Sequence, residues 1–269
     1  MPVVCLPGLA RTSADFHNLA VALASDETRP RRVISADYRG RGRSEWDRDW
    51  RRYDVRVELD DVLQILTAAG IEEAIFVGTS RGGLIAMGVG AVRPALLRGV
   101  VLNDIGPVID PRGLVRIRGY VGKLAPPRDF REAAENLRRM SEAQFPAWTD
   151  RDWETLARGT WKETDGGLML AYDPNLMQTV AAMDLAAPLP SLWPLFEGLS
   201  HVPVLALRGE HSDILQAKTL ERMGEVHPML EAVTVPGQGH APLIEGDLIK
   251  RIARFVAETE SRDALRFAV

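Results

Sequence analysis

The sequence predicts an α/β fold, a mostly parallel, doubly wound sheet carrying an inserted helical lobe. Two observations predict it. Short β-branched runs alternate with longer helical patterns, which argues for a parallel sheet covered on both faces. Between about Pro107 and Trp193 that rhythm stops, and the chain becomes rich in Arg, Glu, Trp and Ala at helical spacing. In order, the predicted strands are Val3 to Leu6, Arg32 to Ala36, Ala74 to Val77, Gly99 to Leu102, Val202 to Leu207 and Leu230 to Val235. The predicted helices between and after them are Ala14 to Leu23, Val55 to Ala69, Gly83 to Val92, Leu215 to Met223 and Leu243 to Glu258. Asp54 is placed to cap the second of these and Gly70 to end it. In the insertion, Pro126-Pro127, Pro146, Asp173-Pro174 and the prolines from 188 to 190 break the chain into short helices. The expected division is a core of residues 1–106 and 196–269 and a helical insertion of 107–195.

Composition narrows the function classes. A chain of 269 residues suits one large domain, or a core with an inserted lobe. A formal net charge of −4 gives no electrostatic reason to expect nucleic acid or an anionic membrane as partner. The arginines are interleaved with acids, as on a solvated mixed surface. Cys5 is the single cysteine, so no intrachain disulfide forms and a reducing compartment is the default. It lies in the run Pro2-Val3-Val4-Cys5-Leu6, where a small buried hydrophobe is expected rather than a reactive thiol. No signal-peptide pattern and no apolar run of ~20 residues is visible, so a cytoplasmic protein that does not span a bilayer is expected.

The central motif is Val77-Gly78-Thr79-Ser80-Arg81-Gly82-Gly83, a G-x-S-x-G pentapeptide. Alone it is weak, since three fixed positions match by chance in on the order of one chain in ten of this length. Its flanks strengthen it. An apolar strand leads in and an apolar helix leads out, a strand-turn-helix that strains the serine backbone and needs glycine on either side. A serine hydroxyl also needs a base, and the base an orienting acid. His240 is the expected base, because Gly237-Gln238-Gly239-His240-Ala241-Pro242 directly follows the last predicted strand and opens on the same sheet edge. His17, His201, His211 and His227 are expected at the surface, with His211 the rival by position. For the acid, Asp213 ends the loop Arg208-Gly209-Glu210-His211-Ser212-Asp213; Asp104 in Asn103-Asp104-Ile105-Gly106 is the main competitor and Glu210 a weaker one.

The order Ser80, Asp213, His240, each in a loop after a strand, resembles that of the α/β-hydrolase superfamily. Cys5-Leu6-Pro7-Gly8-Leu9 is similar to its oxyanion loop. Asp37-Tyr38-Arg39-Gly40-Arg41-Gly42-Arg43-Ser44 resembles the D-x-R-G-x-G-x-S turn of its cap-bearing members. The resemblance implies an α/β-hydrolase fold with the insertion as cap. It also implies an oxyanion hole built from the backbone N–H groups of Leu9 and Arg81. It makes Val3 to Leu6 the family's third strand, so the family's N-terminal β-hairpin is expected to be missing. The strand Arg32 to Ala36 is then expected on an open edge, covered by the 48–53 region or by a second copy in a homodimer. For the Arg81 side chain, a salt bridge within the elbow is favoured over substrate contact.

The implied activity is hydrolysis of a small carboxylic ester or lactone through an acyl-serine, with no cofactor and no metal. A small-molecule substrate is the expected partner. Two alternatives stand beside it. One is a C–C bond hydrolase of ring-cleavage type, for which Thr79 is a poorer match than the Asn of several such enzymes. The other is a ligand receptor of the same fold, which would bind without turning over.

Overall fold

The computed structural model describes residues 1–123 and 125–266 of the chain. Its strands are β1 Val3–Leu6, β2 Val33–Ser35, β3 Ala74–Thr79, β4 Leu97–Asn103, β5 Trp161–Thr164, β6 Gly167–Leu170, β7 Val204–Gly209 and β8 Leu230–Val235. The helices are α1 His17–Ala24, α2 Val55–Ala68, α3 Arg81–Val92, α4 Pro111–Tyr120, α5 Phe130–Ser141, α6 Asp150–Thr160, α7 Met177–Ala181, α8 Trp193–Glu197, α9 Ala217–Val226 and α10 Asp247–Arg266. Six strands form one sheet in the order β2-β1-β3-β4-β7-β8, and each neighbouring pair is parallel.

The period of two along each strand divides the core. Val3, Cys5, Ile75, Val77, Val101, Leu205 and Leu207 face Leu19 and Leu23 of α1 and Ile252, Phe255 and Val256 of α10. Val4, Leu6, Phe76, Val100, Leu102, Val204 and Ala206 face the opposite layer, with Val62 and Leu66 of α2, Ile85 and Val89 of α3 and Met223 of α9. Each fully buried aliphatic side chain of this kind contributes about 1.5–3 kcal/mol. Cys5 is one of them, and burial pushes its thiol up to about 12, so it packs as a hydrophobe and carries no thiolate at neutral pH. Helix α2 begins where Asp54 accepts the N–H of Arg56, and Gly70 at φ +66° ends it. None of the helices among the described residues is long and apolar enough to cross a membrane.

Between β4 and β7 the chain forms α4 to α8. It also forms the antiparallel β5–β6 hairpin, where the sequence suggested helices alone. The missed signal is Asp165-Gly166-Gly167, a hairpin turn between short runs. Trp153 and Trp161 are buried with Phe145, Leu137 and Ala157 and hold the insertion together. β2 lies at one edge of the sheet. The 48–53 segment packs Trp50 and Tyr53 against Tyr172 and Leu176 of the insertion. The Tyr53 hydroxyl donates to Asp173 at 2.6 Å, a second tie between core and insertion.

Candidate active site

β3 ends at Thr79 and α3 starts at Arg81, so Ser80 alone turns the chain, at φ 51° and ψ −112°. This is a strained conformation for a non-glycine residue, held by its surroundings. The Ser80 N–H donates to the Asn103 carbonyl of the neighbouring strand at 2.9 Å. The glycines on either side are sterically required. A Cβ on Gly78 would lie 2.5 Å from the backbone of Gly82, and one on Gly82 would collide with the Leu6 carbonyl. The turn therefore presses the start of α3 against β1 and lifts the serine hydroxyl over the sheet edge.

His240 meets that hydroxyl. Its Nε2 lies 2.9 Å from Ser80 Oγ, and its Nδ1 lies 2.7 Å from Asp104 Oδ2. A carboxylate only accepts, so Nδ1 carries the proton and Nε2 is left free to take one from serine. Asp104 is fully buried. Its Oδ1 accepts the Gly209 N–H at 2.7 Å and its Oδ2 the Ser212 hydroxyl at 2.5 Å. It sits at φ 57°, a left-handed conformation that Asp adopts more readily than most residues.

The carboxylate that meets His240 is thus Asp104 and not Asp213, where the sequence expectation had placed it. The reason lies in strand order. Both aspartates leave C-terminal strand ends, but β4 lies directly beside β3, whereas β7 is one strand further, about 4.8 Å more. The β7 loop supports the Asp104 carboxylate instead, through the Gly209 N–H and the Ser212 hydroxyl. Asp213 turns to the insertion, where Arg116 of α4 grips it with bonds of 2.6 and 2.9 Å. Glu210 and His211, the weaker candidates, are exposed.

Burial alone would push the Asp213 carboxyl up, but its hydrogen bonds and charge pairing with Arg116 hold it below the ordinary carboxylate range. A carboxyl depressed on folding stabilises the folded state fully above its unfolded pKa, about 3.9, and the benefit is lost as pH falls through the folded value. The difference in thermal midpoint between the wild type and Asp213→Asn is therefore expected at pH 7. It should shrink as the pH falls below about 4; a difference that stays constant to pH 2.5 would show that the pair does not contribute in this way.

Asn103, which sequence reasoning had not singled out, bridges three elements. Its amide donates to Thr79 Oγ1 at 3.1 Å and to the Pro242 carbonyl at 2.9 Å, so it ties the histidine loop to β3 and β4. The other histidines differ from expectation at one position. His227 is buried rather than exposed, with Nε2 on the Leu199 carbonyl at 3.1 Å and Nδ1 accepting the Met229 N–H. Burial lowers its pKa, keeping it neutral within the core.

Leu9 lines the space in front of Ser80, and Arg81 opens α3, where the first N–H groups lack intrahelical acceptors. The Arg81 side chain points away from that space and salt-bridges to buried Glu58, with Nη2 on the Tyr53 carbonyl at 2.5 Å. In the turn from Asp37 to Ser44, Asp37 accepts the backbone N–H groups of Ser13 and Arg43 and closes the loop on itself. No phosphate-binding role is needed to explain its glycines: Gly42, at φ 55°, has no room for a side chain beside Asp37.

A cavity of about 180 Å³ opens over Ser80 and His240. Its apolar walls include Leu9, Leu243 and Ile244 from the core and Leu137, Phe145, Trp148 and Leu156 from the insertion. The charged pair on its lining is Arg11 and Asp15, which neutralise one another through bonds of 2.7 and 2.5 Å. Trp148 is fixed by its indole N–H on Gln238 Oε1, in the loop that carries His240.

The family model for the alpha/beta hydrolase fold matches residues 1–247. The chain belongs to this family. A 3-hydroxybutyrate-oligomer hydrolase from Cupriavidus necator is 36% identical over 247 residues, 89% of this chain and 82% of that protein. A 2-(acetamidomethylene)succinate hydrolase from Mesorhizobium japonicum is 28% identical over 234 residues, 87% of this chain and 79% of the relative. Among solved structures, an alpha/beta hydrolase from Novosphingobium aromaticivorans superposes with a TM-score of 0.88 at 39% identity, covering 95% of this hydrolase and 89% of that chain.

Proposed function

We propose that this hydrolase cleaves a small, uncharged or weakly polar carboxylic ester or lactone through an acyl-Ser80 intermediate. The observation that carries the reading is the hydrogen-bonded series Ser80–His240–Asp104 opening into an apolar cavity. Ser80 Oγ attacks the carbonyl carbon while His240 Nε2 takes its proton. The resulting oxyanion is held by the N–H groups of Leu9 and Arg81, each such donor typically worth ~3 kcal/mol in the transition state. His240 then gives the proton to the leaving alcohol. Water enters, His240 activates it, and the acid is released. Asp104, accepting the Nδ1–H, fixes the ring and stabilises the imidazolium.

The lining supports the substrate class. Its charged side chains, Arg11 and Asp15, occupy one another, so a free carboxylate or ammonium would enter the apolar part of the cavity without a strong partner. The similarity to a 3-hydroxybutyrate-oligomer hydrolase supports the ester as the bond cleaved, because an oligomer of a hydroxy acid is a chain of esters, though one that ends in a carboxylate. The insertion acts as the cap, supplying much of the apolar wall over Ser80.

A panel of p-nitrophenyl esters from acetate to decanoate, simple lactones and a 2-hydroxy-6-keto-dienoate tests this reading. Esters or lactones should be turned over with kcat/KM at least ~100-fold above that for the dienoate, a gap of about 2.7 kcal/mol. Efficient carbon–carbon cleavage with poor ester turnover would overturn it. A single modification without cycling would favour the receptor reading.

A further inference from the structure

Glu58 lies in the first turn of α2, fully buried, with no place in the acyl-transfer steps. Both its oxygens are engaged: Oε1 accepts from Arg41 Nη1 at 2.6 Å, and Oε2 accepts from Arg81 Nε. Arg41 is itself fully buried, stacked between the rings of Tyr38 and Tyr53. Its Nε donates to the Leu9 carbonyl at 2.8 Å and its Nη1 also to the Arg39 carbonyl at 2.8 Å. One carboxylate therefore reaches Arg81 directly and Leu9 through one guanidinium. These are the two residues whose N–H groups would form the oxyanion hole.

We propose that Glu58 and Arg41 are positioning residues for the oxyanion hole, holding the two donor residues in register from behind. This rests on the acyl-transfer reading above. Stability alone is a poor account of such a cluster. Desolvating three charges is expensive, and well-packed apolar residues of the same volume would often be at least as stable. Geometry gives the better account. Fixing the Leu9 carbonyl sets the rotation of the peptide that follows Leu9, which limits how the loop after β1 turns and hence where the Leu9 N–H points. Fixing the Arg81 side chain at two points, on Glu58 and on the Tyr53 carbonyl, anchors the first residue of α3. Donors must lie about 2.7–3.1 Å from the developing oxyanion. A misplacement of about 1 Å can cost on the order of 100-fold.

Two variants test the role, Glu58→Gln and Arg41→Lys. The amide keeps the shape of Glu58 but accepts through one oxygen only, leaving one arginine unheld. The lysine keeps the charge but cannot span Leu9 and Glu58 together. With the folded fraction set by titrating Ser80 with a fluorophosphonate, both variants should lose 10- to 100-fold in kcat with KM within about 3-fold. Affinity for an alkylboronic acid, which becomes a tetrahedral adduct on serine, should fall by a similar factor. Melting temperature is recorded alongside; if Glu58→Gln does not fold, Arg41→Lys carries the comparison. The boronate arm needs no substrate. Unchanged boronate affinity and kcat in the folded variants overturns the positioning role while leaving the hydrolase reading intact. A wild type that neither turns over esters nor binds boronate overturns both.

Discussion

Asp104→Asn is expected to reduce kcat by about 10⁴-fold with the fold intact. The carboxylate accepts the His240 Nδ1–H and so dictates the tautomer that leaves Nε2 able to take the serine proton. An amide of the same shape offers an N–H2 group toward the ring and favours the opposite tautomer, in which Nε2 carries the proton and cannot act as a base. The Gly209 N–H and Ser212 hydroxyl, which now both donate to the carboxylate, would each compete for the single amide oxygen. Asp213→Asn supplies the control. Its side chain bonds Arg116 across the gap to the insertion, so a change in kcat below about 10-fold is expected, with some loss of stability. Steady-state kinetics on the same ester for both variants decides between them. A severe Asp213→Asn and a mild Asp104→Asn would restore Asp213 as the acid.

Ser80→Ala should be more damaging still, on the order of 10⁶-fold in kcat, since removing the nucleophile of a triad abolishes the covalent route. The fold should tolerate it: alanine keeps the Cβ, and Gly78 and Gly82 already provide the close approach that the turn demands. Residual turnover would come from water attacking a carbonyl still held by the Leu9 and Arg81 N–H groups. Circular dichroism and melting temperature should match the wild type. A variant retaining more than about 1% of wild-type kcat would show that the hydroxyl is not the nucleophile.

The strands of the sheet, the Ser80 turn and the His240 loop were legible in the sequence because each is marked by a local pattern. The strand before Gly78, the glycines at 78 and 82 and the apolar helix after them all make the same demand within about twenty residues. His240 was legible because it follows the last strand in a Gly- and Pro-rich loop. The carboxylate beside His240 was not, because chain order is satisfied equally by Asp104 and Asp213. Only the spatial order of strands shows that β4 neighbours β3 and so brings Asp104 nearer to the serine. One hint was present in Ser212, a short hydroxyl just before Asp213 in a loop close enough to support a neighbour's carboxylate. The Arg41–Glu58–Arg81 cluster was half legible. The structural reading of Arg81 holds, but its partner is 23 residues away on another helix, and no local pattern announces a buried carboxylate. His227 was misjudged for a related reason: a histidine satisfied by main-chain groups at both nitrogens is indistinguishable in sequence from an exposed one.

Acyl transfer in two half-reactions requires Ser80 to carry the acyl group between them. Rapid acid quench of the wild type mixed with an excess of a short-chain p-nitrophenyl ester, followed by intact-mass and peptide mass spectrometry, tests it most directly. A transient adduct of the acyl mass is expected on the peptide containing Ser80, absent in Ser80→Ala and formed far more slowly when His240 is replaced by Gln. An adduct on another residue during productive turnover, or sustained turnover whose acyl label persists in Ser80→Ala, would contradict it.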